Sequence, residues 1–247
     1  LLQLKEILKF IKLLFNMANI FSYSIGRKLL MSLSGLFLVM FLLVHLLVNS
    51  FLILDPLFGT AEGEMYNAGV HFMTTNPFIR IMEPILAGGF IVHIVYSIIL
   101  TIQNMRARGS KSYASGNKTP DVEWSSKNMF VLGIALLSFL AIHIAQFWVK
   151  MKITGDPRLD YTVEGHNAYV LVHETFQITW VMICYVIGGI ALAFHLSHGF
   201  WSAFHTVGLS NSIWIPRLQK ISVVIAWIIG LGFSTIALVQ YLVYPLS

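Results

Sequence analysis

The chain is poor in cysteine, in charge and in polar connecting sequence, and each shortage excludes something. A single cysteine, Cys184, among 247 residues leaves no disulfide framework, no thiolate metal cluster and no C-x-x-C-H motif for covalent cofactor attachment. Any prosthetic group must be held without a covalent bond to the chain. Charged residues make up 11% and hydrophobic residues 57%, which excludes an ordinary soluble domain and makes lipid the main solvent. The net charge of +5 does not point to nucleic acid, because the basic residues sit in short stretches between apolar runs, where they act as topology signals. There is no internal repeat, no low-complexity run and no connection long enough for a folded soluble domain.

What is present is a series of five runs long and apolar enough to cross a bilayer as helices: Leu29 to Leu54, Phe78 to Gln103, Met129 to Val149, Val170 to Phe204 and Ile221 to Tyr244. The predicted fold class is an all-α integral membrane bundle of five transmembrane helices. Arg27 and Lys28 precede the first run, Arg106, Arg108, Lys111, Lys118 and Lys127 lie between the second and third, and Arg217 and Lys220 lie between the fourth and fifth. The connection between the first and second carries Asp55, Glu62 and Glu64 and no basic residue before Arg80. The amino terminus is therefore expected in the cytoplasm and the carboxy terminus outside. Lys150, Lys152 and Arg158, mixed with Asp156, Asp160 and Glu164, leave the third connection neutral in this respect. Residues 1–16, basic and leucine-rich, precede Met17 and are read as an upstream extension or surface helix, or as an interfacial amphipathic helix on anionic lipid. Residues 17–247 form the membrane domain.

Four of the nine histidines, His45, His93, His143 and His195, fall inside the first four runs, one in each. An ionisable side chain within a span is costly and marks function, although any one of them could be a neutral imidazole bonded to a neighbouring helix. Depth along the helices separates them into pairs. At about 1.5 Å per residue, His45 lies roughly 14 Å and His143 roughly 10 Å from the outer ends of their helices. On the two helices that run inward, His93 and His195 lie roughly 15 Å from the cytoplasmic boundary. Each pair can supply two axial nitrogens to one iron, with a flat macrocycle buried between helices. Gly88 and Gly89 precede His93, Gly188 and Gly189 precede His195, and Gly35 and Gly133 each stand ten residues before an outer histidine. Small residues there allow a ring or a helix to approach closely. His198, one turn after His195 on the same face, is its rival as ligand and lies less deep. His205 lies near the cytoplasmic interface, while His71, His166 and His173 lie in or near the outer connections. The fifth run, without histidine, is assigned to packing.

Ser34-Gly35-Leu36-Phe37 leading to His45, then His93, His143 and the stretch His195-Leu196-Ser197-His198-Gly199-Phe200-Trp201-Ser202, together resemble the cytochrome b558 membrane anchors of succinate dehydrogenase and fumarate reductase. The likeness is to the single-chain, five-helix, two-haem form in bacterial complex II, and it covers essentially Met17 to Ser247. It implies two haem b groups, His93 and His195 holding the one near the iron-sulfur partner and His45 and His143 the outer one. The family motif H-x-S-x-G-x-W selects His195 over His198. It also implies a flavoprotein subunit that interconverts succinate and fumarate, an iron-sulfur subunit, the inner membrane of a bacterium, a complex that can be dimeric, and a membrane quinone, with menaquinone the expected species. Two positions depart from relatives: a glutamate serving a proton path in some fumarate reducers is Ala193 here, and a basic residue that meets a haem propionate falls at about Thr206, where His205 is a possible substitute.

Quinone chemistry needs an apolar slot and a few polar groups to exchange protons. The outer end offers Glu64, Tyr66, Asn67, His71, His173 and Glu174, of which Glu64 and His173 are the candidates for proton exchange. Two other readings stay in view: a two-haem cytochrome b subunit of a hydrogenase or formate dehydrogenase, and a transporter using histidines as a metal or proton relay. Transporters often show broken helices or repeated halves, and neither is evident in the sequence.

Overall fold

The computed structural model describes residues 23–58, 63–108, 124–155 and 168–244; the expected extension at 1–16 lies outside them. The described residues are helical with no strand, as a chain in lipid must be when every backbone polar group has to be satisfied within its own segment. Five helices are long and apolar enough to cross a membrane, over Ile25–Asp55, Pro77–Ala107, Met129–Thr154, Thr179–Thr206 and Trp214–Leu242. The protein is an all-α, multi-pass membrane bundle.

Helix α1 spans Ser24–Leu57. A short helix α2, Glu64–Thr75, follows in what the sequence reads only as a connection. Its start is made by Asp55 at the end of α1, whose carboxylate oxygens accept the N–H groups of Met65 at 2.8 Å and Tyr66 at 3.1 Å. That satisfies two of the donors every helix leaves open at its amino end. Asn76, with extended backbone at φ −67° and ψ 122°, separates α2 from α3, Pro77–Arg108. Its side-chain oxygen accepts the N–H of Phe78, and proline at the first helical position gives up no needed donor.

After the one-turn helix α4, Trp124–Lys127, helix α5 runs over Met129–His143. The helical path continues in wider π turns, Ile144–Trp148 and Lys150–Thr154, and stops at Gly155, whose φ of 67° suits glycine. The fourth apolar run, expected as one helix over 170–204, is instead two: α6, Ala168–Phe176, and α7, Thr179–Thr206. The break falls at Gln177 and Ile178, the latter in extended conformation at φ −81° and ψ 111°. Gln177 is polar, and its amide donates to the carbonyls of Gln240 at 2.6 Å and Tyr244 at 3.0 Å, closing the end of the last helix. That last helix, α8, spans Trp214–Leu242 and starts earlier than the apolar run does. Asn211 caps it through the N–H groups of Ile213 and Trp214, which places Arg217 and Lys220 in its first turns.

The tightest packing is between α7 and α8. Ser222, Ala226, Gly230 and Ser234 repeat every fourth residue on α8 and are buried against Gly189, Ala193 and Ser197 of α7. The Ser222 hydroxyl donates to the carbonyls of Leu196 and Ser197, at 3.0 and 2.7 Å. Small residues let the two backbones meet, which is how helices associate where burial from water offers no drive. Helix α1 lies against α3, α7 and α8, and α5 lies against α7. Near its start α3 is tied to the π turns that follow α5 by Glu83, which accepts from the Trp148 indole at 2.8 Å and the Lys152 ammonium at 3.2 Å.

Candidate functional site

The fold brings the four span histidines together two by two. The rings of His45 on α1 and His143 on α5 have centroids 5.7 Å apart and planes crossed at 87°. The rings of His93 on α3 and His195 on α7 have centroids 6.4 Å apart and planes crossed at 68°. Among the described residues no third His, Cys, Asp or Glu joins either pair to make a metal cage. Each pair is thus two imidazoles facing across the bundle, a donor set that fits axial ligation of iron held in a macrocycle and lacks the ligands of a zinc or calcium site.

Apolar rings build the walls of the outer pair. Phe41 stacks on His45 at 5.2 Å and Phe139 on His143 at 5.9 Å, while Phe233 of α8 lies 5.5 Å from His45. At the inner pair, a Cβ on Gly35 would come within 3.3 Å of the His93 ring, so the glycine lets that ring lie close against α1. The other glycines divide by role. Gly188 faces the Phe139 ring and Gly189 faces Gly230 and Ser234, so these two serve helix packing. Gly88 and Gly133 have nothing within 4 Å of a Cβ, so no neighbouring side chain or backbone requires glycine at either. Nδ1 of His195 and Nε1 of Trp201 are buried without a hydrogen-bond partner.

The hydrogen bonds around the rings differ. Tyr185 Oη lies 3.2 Å from Nδ1 of His143. Ser34 Oγ, which donates to the Met31 carbonyl, lies 3.4 Å from Nδ1 of His93. Asn49 donates to the His45 carbonyl at 2.8 Å, and the same nitrogen is 3.4 Å from Nδ1 of His45. His198, the rival to His195, has its ring 5.1 Å from that of Trp201, on the same helix. His205 is exposed and meets the Ser210 hydroxyl through Nε2 at 3.0 Å.

The two outer candidates sit differently. Glu64 is exposed in the first turn of α2, and the backbone donors there are taken by Asp55. His173 is half-buried on α6, stacked on Tyr169 with ring planes 6° apart, and its Nδ1 lies 2.9 Å from Oε1 of Gln240. Gln240 is fully buried on α8 and donates through Nε2 to the Leu52 carbonyl at 2.8 Å. Pro56, four residues on, has no N–H to give that carbonyl, so the Gln240 amide supplies the missing donor. A carbonyl only accepts, which fixes the amide: Oε1 faces His173, Nδ1 of His173 carries the proton, and Nε2 keeps its lone pair. Nearby, Tyr66 is buried, and burial pushes its hydroxyl well above the usual phenol range, so it stays neutral. His71 is exposed on α2, and His166 lies outside the described residues.

Gln240, Asp55 and Tyr185 were not singled out as functional by sequence reasoning. For Tyr185 a signal existed: it precedes His195 by ten residues on one helix, roughly 15 Å outward and hence level with the outer pair.

A curated relative is the succinate dehydrogenase cytochrome b558 subunit of Bacillus subtilis (strain 168), 27% identical over 199 residues, which are 80% of this chain and 85% of that protein. No protein-family model matches the chain, and no solved structure matches it.

Proposed function

We propose that the chain is the membrane-anchor cytochrome b subunit of a succinate:quinone oxidoreductase in a bacterial cytoplasmic membrane. In this role it carries electrons through two b haems between an iron-sulfur subunit and a membrane quinone. The observation that carries the reading is the pairing of four span histidines, two rings at each of two depths, in a bundle whose relative is a cytochrome b558 subunit.

His93 and His195 would hold the inner haem and His45 and His143 the outer one. Bound haem supplies a one-electron carrier at each depth. The chain's own residues hold the outer ligand rings in place through Phe41, Phe139 and Phe233, surround them with apolar rings, and meet Nδ1 of His143 with the Tyr185 hydroxyl. Basic side chains at the cytoplasmic ends, among them Arg106, Lys127, Arg217 and Lys220, form the face for the iron-sulfur subunit, which in turn carries the flavoprotein where succinate and fumarate interconvert. At the outer end His173, with Nδ1 committed to Gln240, has Nε2 to take a proton from a quinol or return one to a quinone. Glu64, exposed nearby on α2, is the candidate for exchange with the outer water.

Haem stoichiometry of the purified complex tests this. Pyridine haemochrome analysis is expected to find two haems b per chain in the wild type and loss of one in each of the His45→Ala, His93→Ala, His143→Ala and His195→Ala variants. No haem in the wild type would overturn the reading. Glu64→Gln and His173→Ala are expected to keep both haems and to slow quinone turnover by about 10²-fold or more, the scale of one acid-base group. Unchanged quinone kinetics in those two variants would remove both residues from the site.

A further inference from the structure

We propose that Tyr185 is a positioning residue of the outer haem site, accepting a hydrogen bond from Nδ1 of His143 and thereby lowering the reduction potential of the outer haem relative to a site without it. The inference rests on the haem reading above. Its geometry is a phenol oxygen 3.2 Å from Nδ1, on a buried side chain closed in by the edges of Phe139, Phe147 and Phe176 at 5.0, 6.0 and 5.0 Å.

Proton accounting gives the direction of the bond. An imidazole that offers Nε2 to iron is neutral and keeps its proton on Nδ1, so Nδ1 can only donate and the Tyr185 oxygen must accept. An acceptor on that proton makes the ligand more basic, favours ferric over ferrous iron, and locks the ring's rotation and tautomer. The other three rings are held differently. Nδ1 of His45 faces the Asn49 amide nitrogen, a donor that cannot accept its proton, and His93 has the longer 3.4 Å approach of Ser34 to Nδ1 together with a hydrogen bond to the Met31 backbone. Nδ1 of His195 is buried with no partner. Within the outer pair, the acceptor that supports ligand basicity therefore falls on one ring, that of His143. Tyr185 is carried on α7, the helix that also carries His195, so one rigid element holds a ligand of the inner site and the orienting group of the outer one.

The test is redox potentiometry of the haems in the purified complex, comparing wild type, Tyr185→Phe and Ser34→Ala. The outer haem is identified as the one lost in His143→Ala. Tyr185→Phe is expected to keep both haems and to shift the outer reduction equilibrium about tenfold toward the ferrous form, a rise of about 59 mV for one electron, with the inner haem unmoved. Ser34→Ala is expected to leave the outer haem unmoved. Unchanged potentials in Tyr185→Phe, or equal shifts of both haems, would overturn the assignment while leaving the haem reading intact. Should Tyr185→Phe lose the outer haem, Tyr185→Gln, which restores an acceptor, decides: retention there supports positioning, and equal loss shows that Tyr185 only packs. A wild-type complex without haem b would overturn the earlier reading and this inference together.

Discussion

Asp55 carries a charge-bearing group into a position with no solvent exposure, and it holds there because its two oxygens close the amino end of α2. Asp55→Ala would leave those backbone donors open, at a cost of about 1–2 kcal/mol. The expected outcome is faster amide hydrogen exchange over residues 65–70 with the protection of α8 unchanged, and Asp55→Asn is expected to lie between the two. In the sequence this residue counts only as an acid in an outer connection, because nothing local shows which donors it meets. The four span histidines are legible for the opposite reason: an imidazole inside an apolar run has no cheap explanation, and helical rise alone converts position into depth. Gln240 is silent in the sequence, since an amide in an apolar helix without histidine gives no hint of a partner as remote as Leu52 or His173.

Among the helices, the α7–α8 contact has the least room to change. A Cβ at Gly230 would meet the Gly189 carbonyl and come within 2.7 Å of the Ala193 Cβ, so Gly230→Ala must push backbones apart. That overpacking is expected to cost about 1–3 kcal/mol. A lowered thermal midpoint of the solubilised protein, with the exposed Leu231→Ala close to wild type, would check it. The same contact explains why position 193 is small: Ala193 is wholly buried against α8 and has no space for an acid. Apolar run lengths predict the five spans well because lipid imposes both length and composition. They do not predict where hydrogen bonding interrupts a run. Hydropathy continues across Gln177, and only the carbonyls of α8 that it serves explain the break there. The wider turns after His143 are equally silent in the sequence, since they differ from an α-helix by one hydrogen-bond step rather than by residue type.

For the whole molecule, the arrangement of basic residues predicts that α2 lies outside and the α7–α8 connection inside. In a Cys184→Ala background, a membrane-impermeant maleimide is expected to label Ala68→Cys in right-side-out vesicles and Ser210→Cys only in inverted ones; the reverse pattern would turn the bundle over. Both positions are exposed, so labelling reads sidedness rather than burial. The bond from Gln240 to the Leu52 carbonyl has a further consequence, for the order of synthesis. The two residues are 188 positions apart, so the first helix enters the membrane long before the amide that completes it has been translated. Until the last helix arrives, the carbonyl left open by Pro56 has no donor from its own helix. A chain truncated after the fourth span would keep all four haem-ligand candidates yet carry that defect permanently, which makes the histidine-free final helix the step at which assembly is sealed.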